Sequence, residues 1–194
     1  MPDNERRLRD PSKWRLLRKE HSRLEYDFLL LTEYIPLAPN FDAPNFRFGS
    51  PRAAAFGLDC GTWVETCLTE HLHGPRFDSD SEVREARDRN ANMDLYRTVL
   101  GPRLGLANLA LVTIEHAIRV APFEDFRQNE NPNWFRKYSS QKHRRIELAE
   151  NWTMRDSLEC IGALTLLLRE FVEVGTFIND VSRVFASVFL PSGS

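Results

Sequence analysis

Apolar residues recur at alternating steps of three and four in two long stretches of this chain, which is the spacing of amphipathic α-helices. The first stripe ends at Pro36 and consists of Trp14, Leu17, His21, Leu24, Phe28, Leu31 and Ile35. The second lies between Ser50-Pro51, an N-cap with proline at the first helical position, and the stop signal Gly74-Pro75. The pattern therefore predicts two long helices, with an ordered loop at 36–49.

Two glycines interrupt the second stripe at one-turn spacing. Gly57 and Gly61 lie on one side of the predicted helix. Since glycine has no side chain, we expect the backbone of another helix to approach closely there.

Capping boxes predict the start of two later helices. The first, Ser79-Asp80-Ser81-Glu82, predicts a helix that runs to Leu100 and is ended by Gly101-Pro102. The second, Thr153-Met154-Arg155-Asp156, opens an apolar helix whose pattern resumes after Gly175 and reaches Phe189. We therefore expect one helix over 79–100 and another from 153 to about 189.

The segment 109–120 is the candidate β element. Val112, Ile114, Ile118 and Val120 alternate with polar residues, a period of two that favours a short hairpin, with a helix as the alternative. The pattern as a whole predicts an all-α fold, an antiparallel bundle of four to five helices, with this hairpin as an addition. The 194 residues fit a single domain over 1–194, in which 1–12 are expected to be flexible.

Composition excludes several classes of protein. A formal net charge of −2 means that any contact with nucleic acid must come from a local basic cluster. Cys60, Cys67 and Cys160 lack the spacing of a disulfide framework or zinc site, and no third ligand accompanies His71 and His73, so we expect reduced thiols, no metal and no cofactor. No secretory signal or membrane span is recognisable, which predicts a cytoplasmic protein.

The most distinctive segment is the basic helix predicted from Pro132 to Arg145. Between Arg136 and Arg145 it contains five Lys or Arg residues, one His and no acidic residue. On a helix, Arg136, Ser140 and His143 share one face. The neighbouring face consists of Trp134, Tyr138, Lys142 and Arg145.

This segment resembles the HEPN superfamily, whose bacterial members often carry Asn-Pro-x-Trp-Trp-x-x-Tyr-Asn-x-x-Lys-His-x-Arg. The matching residues are Asn131, Pro132, Trp134, Tyr138, Lys142, His143 and Arg145. Pro122-Phe123 resembles a short element that these proteins carry upstream of the motif. The chain departs from the pattern at Lys137, where active members place Asn, Asp or His, and at Ser139 in place of Asn.

The resemblance implies an all-α bundle that forms a homodimer and binds RNA. Several HEPN members are metal-independent endoribonucleases of toxin–antitoxin or phage-defence systems, with an Arg and a His separated by four to six residues. Arg136 and His143, with six residues between them, are the corresponding catalytic candidates. The candidates for binding nucleic acid or phosphate are Lys137, Tyr138, Lys142, Arg144 and Arg145. The resemblance leaves open whether the protein partner is an antitoxin or another protein.

Two other functions fit the same residues. The chain is alternatively a non-catalytic helical module for dimerisation or interaction, or a sensor of a small ligand or nucleotide. In those cases Arg136 and Lys142 pair with Glu147, Glu150 or a carboxylate on another helix. Trp134 and Tyr138 are then anchors of the hydrophobic core, which is the commoner role of aromatic residues at one-turn spacing.

Overall fold

The computed structural model describes residues 11–89, 91–143, 151–169 and 182–189 and is mostly helical, with a small antiparallel sheet. The helices are α1 (Pro11–Thr32), α2 (Pro51–His73), α3 (Ser81–Arg87), α4 (Met93–Leu95), α5 (Gly101–Leu104), α6 (Asn133–His143) and α7 (Met154–Arg169). The strands are β1 (Ala110–Thr113), β2 (Arg119–Val120) and β3 (Phe185–Phe189). The expectation of a flexible N-terminus falls mostly outside these residues, except that Pro11 and Ser12 begin α1.

α7 lies at the centre of the hydrophobic core because it packs against α1, α2 and α6. The residues from Leu158 to Leu168, apart from half-buried Glu159, are buried on all sides. A helix that is apolar around its whole circumference needs neighbours on every side to exclude water. The other helices and the sheet are therefore arranged around α7.

The starts of α2 and α7 confirm the capping predicted from the sequence. The hydroxyl of Ser50 accepts a hydrogen bond from the backbone N–H of Ala53 at 3.0 Å. The carboxylate of Asp156 accepts the backbone N–H of Thr153 at 2.8 Å, while the Thr153 hydroxyl accepts the Asp156 N–H at 3.3 Å. This reciprocal pair satisfies backbone donors that the first turn leaves without a partner.

Aromatic rings pack against Gly57 and Gly61 of α2, where the sequence had predicted the backbone of another helix, so that prediction was wrong at these two positions. A Cβ placed on Gly57 would lie 2.2 Å from the Trp152 ring, and one on Gly61 would lie 2.4 Å from the Tyr138 ring. Both aromatic residues are completely buried. The missing side chains therefore make room for two large core residues.

The third helix is shorter than the capping box predicted. Asp80 caps α3, which ends at Arg87, and the side chain of Asn92 caps a new helical segment by accepting the N–H of Leu95 at 2.9 Å. That segment passes from α4 through a π-helical turn (Tyr96–Leu100) into α5, so Gly101-Pro102 begins a turn instead of ending the helix. Proline is accommodated because the first turn of a helix needs no N–H donor there.

A three-stranded sheet with the order β2-β1-β3 corrects the all-α prediction. β1 pairs antiparallel with both neighbours, so the hairpin predicted within 109–120 is confirmed. The helix expected to reach Phe189 is wrong at its end, because 185–189 form β3. A backbone edge such as that of β1 offers N–H and C=O groups to an extended partner, and this pairing overrides the helical spacing of the phenylalanines.

The face of β1 that points into the core also differs from the predicted one. Leu111 and Thr113 are buried, whereas Ile114 is 59% exposed. Ile114 lies at the start of the turn, in which His116 and Ala117 have φ values of 62° and 51°. The alternation thus marked the wrong face of β1 and the right residues around β2, where Ile118 and Val120 are buried.

Candidate nucleic-acid interface

The first residues of the basic motif attach α6 to the rest of the fold. The Asn131 side chain accepts a hydrogen bond from Arg97 at 2.8 Å and donates one to Asp94 at 2.9 Å. The carbonyl of Pro132 accepts the N–H groups of Phe135 and Arg136, both at 3.0 Å. Asn131 and Pro132 therefore have an architectural role, which is to fix where α6 begins.

Trp134 connects the motif to the Pro122-Phe123 element that precedes it. Its indole N–H donates to the carbonyl of Pro122 at 2.9 Å, and its ring meets that of Phe123 edge-on with 6.1 Å between centroids. Both rings are completely buried. The interpretation of Trp134 as a core anchor is confirmed, because an indole with a satisfied N–H is stable in the core.

Tyr138 is completely buried as well, with its ring against Gly61. Its hydroxyl donates to Glu65 at 2.8 Å and lies 3.4 Å from the Thr62 hydroxyl. Burial raises the pKa of Tyr138, so the hydroxyl stays protonated and remains a donor. No ring face is left for a base, so Tyr138 anchors the core and is not a stacking surface.

Lys142 pairs with a carboxylate on another helix, one of the two arrangements expected from the sequence. Its ammonium contacts Glu65 directly and lies 4.8 Å from the centroid of the Tyr138 ring. Partial burial lowers the pKa of Lys142, but Glu65 and Tyr138 raise it more, so the net shift is upward. The charge of Lys142 is therefore neutralised locally by Glu65.

Lys137 is neutralised in the same way at the other end of α6. Its ammonium lies 2.5 Å from Oδ2 of Asp156, a carboxylate that is 99% buried. Oδ1 of Asp156 accepts the side-chain amide of Asn133 at 3.3 Å. As a result, Lys137 joins α6 to the first turn of α7, and a phosphate would have to compete with a buried partner.

The remaining motif residues that the structure describes lie at the surface. Arg136, Ser140 and His143 are all exposed on α6, as the helical spacing predicts. The Arg136 guanidinium lies 3.8 Å from the Glu130 carboxylate, and both side chains are more than half exposed. Arg144 and Arg145 lie outside the described residues. Of the residues predicted to act on RNA, Arg136, Lys142 and His143 are thus exposed, and of these Lys142 makes a direct ion pair with Glu65.

Two cavities meet at Arg136 and Lys137. One, of about 540 Å³, lies between the loop around Phe41, the segment 121–132 and the first turns of α6 and α7. The other, of about 450 Å³, extends along α6 past Ser140 and Gln141 to Asn151. Volumes of this size suit small ligands or single nucleotides. The exposed face of α6 is therefore continuous with concave surface on both sides of Arg136.

The larger cavity contains charged residues that the sequence reasoning did not select. Nε of Arg155 donates to Glu159 at 2.8 Å, and its guanidinium lies 4.6 Å above the ring of Phe41. Asp125 also lines this cavity. The spacing of Arg155 and Glu159 by four residues was the available signal, but such pairs are common on solvated helix faces.

Comparison with known proteins returned no family model, no curated protein and no solved structure that matches this chain. The resemblance to the HEPN superfamily thus stays a prediction that rests on the residues around α6. Among the described residues, no helix combines the length and apolar character needed to cross a membrane. In the same part of the chain, His, Cys, Asp and Glu side chains form no group of three or more suited to hold a metal ion.

Proposed function

We propose that this protein is an HEPN-like RNA-binding protein that holds single-stranded RNA along the exposed face of α6. The proposal includes cleavage of that RNA without a metal ion by Arg136 and His143, in a homodimer. The observation that carries it is the common exposure of Arg136, Ser140 and His143 beside two cavities that meet at Arg136. Lys137 and Lys142 then position α6 through their carboxylate partners.

The chemistry needs one group that moves a proton and one that holds negative charge. An imidazole gains and loses a proton near neutral pH, so His143 can take the proton of a ribose 2′-hydroxyl. The 2′-oxygen then bonds to the adjacent phosphorus, the bond from phosphorus to the 5′-oxygen breaks, and that oxygen takes up a proton from the imidazolium of His143. The guanidinium of Arg136 stabilises the charge on the phosphorane.

A homodimer contributes a second copy of this pair. Arg136 and His143 are separated by roughly 10 Å along the helix axis at 1.5 Å per residue, so a phosphate at one does not reach the other without long side chains. Two copies of α6 facing one groove would shorten that separation and double the positive charge. Light scattering of the purified protein measures the mass and tests this part of the proposal.

The test of cleavage uses labelled single-stranded RNAs in the presence of EDTA. Wild type is expected to give fragments that end in 2′,3′-cyclic phosphate, and His143→Ala is expected to give none at an unchanged melting temperature, because His143 is exposed. The matched control is His73→Ala, which removes an exposed histidine from α2. RNAs that stay both intact and unbound with wild type would reject the proposal.

A second candidate, a non-catalytic interaction module, is favoured by one observation. Glu65 holds Lys142 and Tyr138 together, so part of the motif is engaged in contacts within the fold. This function predicts a dimer that is insensitive to salt and does not bind RNA. RNA binding that weakens as salt rises would decide for the first proposal.

A further inference from the structure

The 540 Å³ cavity beside Arg136 has walls of both charges and one aromatic surface. Arg136 and Arg155 contribute guanidinium groups, Asp125 and Glu159 contribute carboxylates, and Phe41 lies under Arg155. Mixed walls of this kind suit a ligand that combines an anionic group with a flat ring bearing N–H donors.

Glu159 is largely sheltered from water in this cavity, with a side chain that is 13% exposed. Its Oε1 accepts the Arg155 Nε–H, and the described residues provide no other hydrogen bond to this carboxylate. Burial raises the pKa of Glu159, Asp125 and Asp156 raise it further, and Arg155 opposes them. Glu159 is thus largely buried while Oε2 has no hydrogen-bond partner among the described residues and Oε1 can accept a second hydrogen bond.

The neighbouring Asp156 differs from Glu159 because contacts within the fold use both of its carboxylate oxygens. It accepts hydrogen bonds from Thr153, Asn133 and Lys137, which occupy both of its oxygens. Asp125 also lines the cavity, and its side chain makes no hydrogen bond within the part of the chain that the structure describes. Glu124 and Glu130, which also line the cavity, have side chains that are 46% and 58% exposed, and Asp42 is exposed as well. The less exposed acceptors are therefore on Glu159 and Asp125.

We infer that this cavity is a guanine subsite that takes one unpaired nucleotide of the RNA bound along α6. The inference rests on the proposed function, because it assigns the base preference of that same interface. Guanine is the base that presents two neighbouring N–H donors, on N1 and N2, to a single carboxylate. The other bases lack this pair, and a carboxylate that stays unmatched in a sheltered site costs binding energy.

The rest of the cavity fits the remaining parts of a nucleotide. Unpaired bases in RNA-binding proteins commonly stack on aromatic rings or on arginine guanidinium planes. The guanidinium of Arg155, held by Glu159 and by the Phe41 ring, offers such a plane. Arg136 at the junction of the two cavities is placed to contact the adjoining phosphate.

The test measures fluorescence anisotropy of labelled 12-nucleotide oligouridines with one central guanosine, inosine or adenosine. Guanosine is expected to tighten binding to wild type about 10-fold over oligouridine, in the range of one good bidentate base contact. Inosine, which lacks the 2-amino group, is expected to lose most of that gain. In Glu159→Gln the guanosine preference disappears, whereas Glu85→Gln, an exposed change on α3, retains it.

The outcomes separate this inference from the proposed function. Equal affinity for all four oligomers with wild type would overturn the guanine subsite while leaving RNA binding intact. If no oligomer binds, the melting temperature of the wild-type protein is measured with GMP and with AMP. Stabilisation by GMP alone supports the guanine subsite and rejects the RNA interface. Stabilisation by neither nucleotide rejects both. If Glu159→Gln does not fold, Asp125→Asn provides the same measurement.

Discussion

The ammonium of Lys137 lies 2.5 Å from the carboxylate of Asp156 and joins α6 to the first turn of α7. Asp156 also accepts the N–H and the hydroxyl of Thr153, so one buried side chain caps α7 and neutralises Lys137. This arrangement explains how α6, which carries Arg136, Lys137 and Lys142, stays docked on the core. It also leaves Arg136 and His143, on the same helix, for contact with solvent.

Asp156→Ala is expected to lower the free energy of unfolding by about 3 kcal/mol. The change removes a helix cap, and it also leaves the partly buried ammonium of Lys137 without its carboxylate partner. Urea denaturation measures the loss, with Glu85→Ala as the exposed acidic control. A loss below about 1 kcal/mol, typical of exposed ion pairs, would contradict the structural role of Asp156.

Gly61→Ala is expected to destabilise the protein by about 2 kcal/mol, although alanine is the better helix former. The new Cβ would lie 2.4 Å from the buried Tyr138 ring, so that the ring has to move. Without this clash, the substitution would stabilise α2 by roughly 0.5–1 kcal/mol. Thermal unfolding shows whether the substitution lowers or raises the stability. Thr66→Ala on the same helix controls for the change in helix propensity.

His21 is expected to make the protein less stable at acidic pH. Burial lowers its pKa to about 4, whereas an unfolded chain binds that proton near pH 6.5. Its contribution is therefore fully present above pH 6.5 and is lost as the pH falls toward 4, by about 3 kcal/mol in total. The Thr165 hydroxyl donates to the Ile161 carbonyl, so it accepts from His21 Nε2–H, which fixes the tautomer of the neutral ring.

The measurement for His21 is the free energy of unfolding between pH 4 and 7. His21→Gln is expected to flatten the curve relative to wild type, while His73→Gln leaves its shape unchanged because His73 is exposed. Glu25 lies 3.9 Å from His21, and burial raises its pKa, so its contribution to stability changes with pH in the opposite direction. Because wild type and His21→Gln both contain Glu25, the difference between their curves removes most of this contribution. Parallel curves for wild type and His21→Gln would contradict the prediction.

Tyr138→Phe is expected to cost about 1 kcal/mol of stability and to leave RNA affinity unchanged. The hydroxyl is buried and bonded to Glu65, whereas a ring that is completely buried does not reach a base. Chemical denaturation and anisotropy on one sample measure both quantities. A large loss of RNA affinity at unchanged stability would show that Tyr138 contacts the RNA after all.

Local patterns in the sequence predicted the parts of the fold that are determined locally. Ser50 and Thr153 act as the caps that their neighbours indicate, and the apolar spacing marks α1, α2 and α7. The end of α3 was missed because Asn92 caps a new segment inside a polar run. β3 was missed because pairing with β1, distant in sequence, decides the conformation of 185–189.

The candidate site was predictable in part for the same reason. Helical spacing correctly placed Arg136 and His143 on one exposed face and left open whether Trp134 and Tyr138 are buried anchors. The partners Glu65 and Asp156 come from other helices, so no local pattern reveals that they neutralise Lys142 and Lys137. The cavity with Asp125 and Glu159 likewise exists only once α7 has docked beside the segment 121–132.

The central claim is that the exposed face of α6 holds the RNA backbone, and the salt dependence of RNA affinity tests it most directly. Each phosphate contact contributes about 0.7 to the slope of log affinity against log salt for a single strand. Arg136→Ala is expected to weaken binding and reduce the slope by about that amount, whereas Arg127→Ala, an exposed arginine outside α6, leaves both unchanged. An identical slope and affinity for Arg136→Ala and wild type would contradict the claim.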